Sequence, residues 1–219
     1  MKIYQLYTTF LYQSEIYESA MQILSEQEKI FICHIQTEKQ HILSLGAKLL
    51  LKYALAKEGI QQYEIEKGKH GKPLLKEKDL YFNISHTKSC VVCVVNDSVV
   101  GIDIETKTRN LPKYYKKILS HDEQIFLKSR ENFDMDFLRI WTMKESFVKM
   151  EGGRIFENPN HICVIKNMDF RKMWKQKQCF FHSYMDAEYI VSVCAKQNVF
   201  PKTMTMVTAK DMQHFFTTL

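Results

Sequence analysis

The sequence predicts an α+β fold made of two similar halves. Stretches with helical spacing precede runs of strand character in the first part of the 219-residue chain and again in the second, with one strand leading the first part. Only 7 Gly and 4 Pro leave little material for linkers or disorder. A shared order of elements without a strong sequence repeat is what a duplicated α+β unit leaves behind. The division falls between residues 1–104 and 105–219.

Along the chain, "KIYQLYTTF" alternates aromatic and β-branched residues and reads as a strand. "ESAMQIL" reads as a short helix. Ser25 and Glu28 stand at capping-box spacing, so a second helix starts there. Residues 37–59 form the clearest long helix, with Leu45, Leu49 and Ala56 at helical spacing and Gly59 as its stop. Turns and strands follow in "YEIEKGKHGKPLL", "LYFNISHTKSCVVCVVND" and "SVVGIDIE", with Asn96-Asp97 as a hairpin turn between the last two. "KYYKKILSHDEQIFLK" and "MDFLRIWTMKESFVKMEGG" read as helices; "HICVIKN", "QCFFHSYM", "EYIVSVCAK" and "MTMVTA" read as strands.

Bulk properties narrow the class. Hydrophobic residues make up 45% and charged ones 26%, ordinary for a globular protein with a real core. No run approaches the roughly 18 apolar residues of a membrane span, and the N-terminus lacks the pattern of a signal peptide, so the expectation is a cytoplasmic protein with no membrane partner. Of six cysteines, Cys90 and Cys93 have CxxC spacing, but three positions apart on a strand they face opposite sides and pack as small hydrophobes. The net charge of +6 points weakly to an acidic partner. "RKMWKQK" at 171–177 reads as a solvated basic face anchored by Trp174, so no nucleic-acid partner is expected.

Chemistry concentrates in four places. Asp103 and Glu105 have two-residue spacing on a strand, hence one face, where like charges repel unless a cation lies between them. Glu145 and Lys149 are spaced i, i+4 on a largely apolar helix; alone they would be an ion pair worth about 0.3–0.5 kcal/mol. Two carboxylates on a strand with a third on a buried helix suit a hard divalent cation such as Mg²⁺, with Lys149 placed to neutralise a phosphate. "HGKP" at 70–73 reads either as a turn or as a loop offering a lysine to a phosphate. "NISH" at 83–86 places Ser85 and His86 just ahead of the strands that lead to Asp103.

Taken in order, "GKP" (71–73), "FNISH" (82–86), "GIDIE" (101–105) and "WTMKESFVK" (141–149) resemble the motif series of the 4′-phosphopantetheinyl transferases, of the monomeric surfactin-synthetase-activating (Sfp) type. The likeness extends to "MKIY", "SVCA" and "FPKTMTMV" and so covers nearly the whole chain. It implies a pseudo-twofold fold with the active site between the halves, and transfer of the phosphopantetheine arm of coenzyme A to a serine of an acyl or peptidyl carrier protein, as in nonribosomal peptide or polyketide biosynthesis. By motif it makes Asp103, Glu105 and Glu145 the Mg²⁺ ligands, Glu145 the proton acceptor and Lys149 the phosphate-stabilising cation. Ser85, His86, Gly71, Lys72, Pro73 and Lys144 are implied to contact coenzyme A. Aligned on Gly46, Ile42 stands where this type carries an arginine for the 3′-phosphate, so Lys29, Lys39, His41 or Lys52 is expected to substitute. The region from Gly152 to Ser183, including "IFENPNH", is implied to dock the carrier. A non-catalytic coenzyme A or nucleotide-binding module of the same fold is the alternative reading.

Overall fold

The computed structural model describes residues 1–77, 79–153 and 159–218. The first part runs β1 (Lys2–Tyr7), α1 (Ser14–Gln22), α2 (Glu26–Cys33), α3 (Glu38–Ala56), β2 (Ile65–Lys67), β3 (Pro73–Leu75), β4 (Tyr81–Thr87) and β5 (Cys90–Asn96). The second runs β6 (Val100–Thr106), α4 (Tyr115–Ile118), α5 (His121–Lys128), α6 (Phe133–Glu151), β7 (Ile165–Lys166), β8 (Asp169–Phe170), β9 (Met173–Trp174), β10 (Cys179–Met185) and β11 (Tyr189–Ala195). The chain closes with β12 (Thr205–Val207) and α7 (Ala209–Thr218).

Strand alternation creates the layers. In β5, Val91, Cys93 and Val95 face a core shared with α3, while Cys90, Val92 and Val94 face the opposite way, into an apolar seam with Val100, Ile102 and Ile104 of β6. The two cysteines of "CVVC" therefore sit in different cores, as period-2 geometry requires. Two four-stranded sheets, ordered β12-β1-β5-β4 and β6-β11-β10-β9, pack through that seam. The 19-residue helices α3 and α6 cover their outer faces.

Local signals were obeyed at the helix ends. Ser25 and Glu28 form the expected capping box, and Ser120 with Glu123 forms a second one, which splits the helical run after residue 113 into α4 and α5. Gly59, at φ +78, follows α3, and the Ile60 N–H returns to the Leu55 carbonyl at 2.9 Å.

Two features differ from the sequence reading. Asn96-Asp97 does not close a hairpin: β5 pairs with β1 and β4, whereas β6 pairs with β11, so the turn carries the chain from one sheet to the other. All of β6 belongs to the second sheet, and β12 returns to pair in parallel with β1. The helix α7, absent from the sequence reading, buries Met212 and Phe215 in the first core.

Candidate active site

The outer face of β6 carries Gly101, Asp103 and Glu105 toward α6. A Cβ on Gly101 would lie 2.1 Å from the Ser146 carbonyl oxygen and 2.4 Å from the Met150 nitrogen, so only glycine lets helix and strand backbones approach this closely. That approach sets the register between them. Trp141 Nε1 donates to Glu105 Oε1 at 3.2 Å, and one to two turns later Glu145 and Lys149 reach the level of Asp103. From the other sheet, β4 joins edge to edge with β6: Asn83 Oδ1 accepts from the Ile102 N–H at 2.9 Å, and Ser85 Oγ donates to Asp103 Oδ1 at 2.9 Å.

These elements enclose a cavity of about 360 Å³ lined by Ser85, His86, Asp103, Glu105, Arg109, Trp141, Glu145 and Lys149. Asp103 and Glu105 are both buried. Lys149 does not pair with Glu145 along the helix. Its Nζ crosses to Asp103 Oδ1 at 2.6 Å and donates to Ser85 Oγ at 2.8 Å. Glu105 is held by the Arg109 guanidinium, which also lies 5.5 Å from the Trp141 ring centroid. Burial first, and the Asp103 carboxylate second, push Glu145 up to about 7, against the pull of Lys149 and Arg109. Burial and the Lys149 charge hold the His86 imidazole below its ordinary range, opposed by Asp103.

Six of the ten residues singled out in the sequence thus meet in one pocket: Ser85, His86, Asp103, Glu105, Glu145 and Lys149. The other four do not line it. Lys144 is fully buried, its Nζ 2.6 Å from Glu123 Oε2, 2.7 Å from the Ile118 carbonyl and 2.9 Å from the Pro159 carbonyl. One step from Glu145 on a helix is about 100° of rotation, enough to turn the next side chain into the core. Lys72 donates to the Val100 and Met150 carbonyls, both at 3.0 Å, so it ties the loop before β3 to the end of α6 and the start of β6; burial lowers its ammonium to about 8. Gly71, at φ +84, and Pro73, the first residue of β3, shape that loop.

The expected substitutes for the 3′-phosphate arginine are elsewhere as well. Ile42 is in the first core, Lys29 pairs with Glu26 at 2.7 Å, Lys52 with Glu28 at 3.0 Å, and His41 Nε2 shares a hydrogen bond with Tyr17 Oη at 2.8 Å. Lys39 is exposed. A larger cavity, about 760 Å³, lies beside Glu28, Lys48 and Lys52, but both lysines are spent on that one carboxylate. Of the carrier-docking stretch, Ile155–Asn158 and Arg154 lie outside the described residues. Beside the apolar Ile84 and Ile104, two pocket residues with polar groups went unassigned in the sequence, Arg109 and Trp141. Trp141 stood inside a quoted motif; Arg109, four residues beyond Glu105, carried no periodic signal.

The donor set suits a hard divalent cation. Asp103 Oδ2 is buried and has no hydrogen-bond partner among the described residues, and the Glu145 carboxyl opens into the same cavity. With Arg109 and Lys149 in place, no three acidic, histidine or cysteine side chains among the described residues are gathered at ligating distance. Asp103 and Glu145 would be the available pair for such a cation, with Glu105 held by Arg109.

A strand-borne carboxylate pair faces a helix-borne Glu and Lys beside a Ser-His strand edge, a donor set suited to chemistry on a phosphate ester. A family model of the 4′-phosphopantetheinyl transferase superfamily matches residues 99–194, the segment from β6 through β11. The chain is 27% identical to 4′-phosphopantetheinyl transferase Sfp of Bacillus subtilis (strain 168), over 97% of this chain and 100% of that protein. It is 29% identical to 4′-phosphopantetheinyl transferase gsp of Aneurinibacillus migulanus, over 71% of this chain and 67% of that one. Over nearly its whole length the chain is thus similar to proteins named 4′-phosphopantetheinyl transferase.

Proposed function

We propose that this protein transfers the 4′-phosphopantetheine arm of coenzyme A to a serine hydroxyl of an acyl or peptidyl carrier protein and releases 3′,5′-ADP. The observation that carries the reading is the convergence of Asp103 and Glu105 on β6 with Glu145 and Lys149 on α6, closed on one side by Ser85 and His86. When bound by Asp103, Glu145 and a released Glu105, Mg²⁺ would offset the charge of the pyrophosphate. The serine oxygen forms a bond to the phosphorus that bears the pantetheine arm, and the bond from that phosphorus to the bridging oxygen breaks. Glu145, with a carboxyl near neutrality, accepts the serine proton. Lys149, held at the Ser85–Asp103 junction, meets the charge that develops on the phosphate oxygens. His86 at the pocket mouth supplies a further donor to those oxygens.

A net charge of +6 favours encounter with an acidic carrier. We read the protein as a cytoplasmic monomer; among the described residues no helix is long and apolar enough to cross a membrane. Mass spectrometry of apo carriers incubated with the protein, coenzyme A and Mg²⁺ tests the assignment. A phosphopantetheine mass gain is expected, lost with EDTA and lowered at least ~10²-fold in rate by Asp103→Ala, a variant that keeps its cooperative unfolding. Coenzyme A binding with no gain on peptide-synthetase, polyketide or fatty-acid carriers would make the protein the non-catalytic module instead.

A further inference from the structure

Without ligand, the pocket is electrically closed by its own side chains. Lys149 and Ser85 both occupy Asp103 Oδ1, and Arg109 and Trp141 both occupy Glu105 Oε1. The two cations are held differently. Lys149 is carried by α6 and is anchored at two oxygens. Arg109 sits just past the end of β6, its backbone N–H closing a turn on the Thr106 carbonyl at 3.0 Å. Its side chain is 37% exposed, resting over the Trp141 ring. Partly exposed and beyond the strand, it needs only side-chain rotation to leave Glu105, and among the described residues the other hydrogen-bonding group on Glu105 Oε1 is the neutral indole N–H.

We infer that Arg109 is a displaceable counterion that makes cation binding and pyrophosphate binding depend on one another. While its guanidinium is on Glu105, an incoming divalent cation meets a permanently charged competitor at that carboxylate. A pyrophosphate diester offers the guanidinium oxygens with the paired geometry it favours. As Arg109 turns to the pyrophosphate, Glu105 is freed to complete the oxygen set begun by Asp103 and Glu145. Because the coupling is a free energy shared by two equilibria, the cation must favour the pyrophosphate by the same factor. The inference rests on the proposed function only for the identity of the pyrophosphate, that of coenzyme A.

Two measurements on Arg109→Gln decide it. Titration with Mn²⁺ alone, read from the electron paramagnetic resonance signal of the free ion, should show the variant binding about fivefold or more tightly than the wild-type protein. Calorimetry with coenzyme A in EDTA should show the reverse, a loss of about fivefold or more. Arg109→Lys keeps the charge and should stay within about twofold of wild type toward Mn²⁺. Equal or weaker Mn²⁺ binding by Arg109→Gln would overturn the counterion role, as would an Arg109→Lys protein that matches the glutamine variant. Unchanged coenzyme A affinity would overturn the exchange. A wild-type protein that binds no coenzyme A would overturn the proposed function together with the pyrophosphate half of this inference, while the Mn²⁺ titration still decides the Glu105 half.

Discussion

Glu145 is the residue whose environment departs furthest from what its position on a helix would suggest. At i, i+4 from Lys149 it had a ready partner, yet Lys149 turns to the buried Asp103, which needs a cation more. The Glu145 carboxyl is left in a desolvated pocket beside another carboxylate and sits near 7 rather than 4.5. A raised carboxyl means that the folded protein holds a proton which the unfolded chain releases above pH 4.5. Stability therefore falls as pH rises through that window, and the full penalty is present above pH 7. Glu145→Gln removes the ionisation. At pH 8 the variant should be more stable than the wild-type protein by about 1 kcal/mol after solvent screening is allowed for, and the difference should vanish near pH 4. Urea unfolding at the two pH values measures this directly. An equal effect at both would mean that folding does not raise the Glu145 carboxyl.

At the scale of elements, the Lys144–Glu123 pair fixes how α6 sits in the second half. Glu123 Oε1 accepts from the Val164 N–H at 2.9 Å, and its other oxygen accepts from Ser120 N at 2.8 Å while bonding Lys144. One carboxylate thus joins α5, α6 and the segment before β7. Both members of the pair are fully buried, so Lys144→Met should cost about 3–5 kcal/mol by stranding the Glu123 charge. Adding Glu123→Gln, which removes the stranded charge and keeps an acceptor for one of those two N–H groups, should recover part of that loss in a urea unfolding series. A single variant that costs under about 1 kcal/mol would place the pair outside the stabilising core.

The same elements show which parts of the structure were legible. Capping boxes, helix spacing and the common face of Asp103 and Glu105 are local properties, and Ser25 with Glu28 formed the cap its spacing implied. The pairing of Lys144 with Glu123 spans 21 positions, and no local pattern displays it. Asn96-Asp97 has turn chemistry whether the next strand pairs back or crosses to another sheet, and only the packing of Val92 against Ile102 and its neighbours decides between them. Arg109 needed the three-dimensional path of the chain after β6 before its partner could be known.

For the whole molecule, the pocket exists only because two sheets meet: β4 of one supplies Ser85 and His86, and β6 with α6 of the other supplies the rest. The chain end then returns to the first sheet, where Tyr4 pairs with Thr205 and Leu6 with Val207. Phe215 of α7 packs edge-on against Tyr53 of α3 at 5.4 Å between ring centroids. Contacts through β5–β6, β4–β6 and β12–β1, with Lys72 on the Val100 and Met150 carbonyls, tie the first part of the chain to the rest, and neither piece should fold alone when cut at 104/105. Ending the chain after Lys202 removes Val207, Met212 and Phe215 from the first core, each worth roughly 1.5–3 kcal/mol of burial. Their combined loss is comparable to the whole stability of an ordinary domain. The truncated protein should lose cooperative thermal unfolding, whereas Phe215→Ala alone should cost about 3–5 kcal/mol and still bind coenzyme A at 25 °C, because its contacts lie away from the pocket. A truncated chain that unfolds cooperatively at the wild-type temperature would show that the first sheet does not need its C-terminal strand and helix.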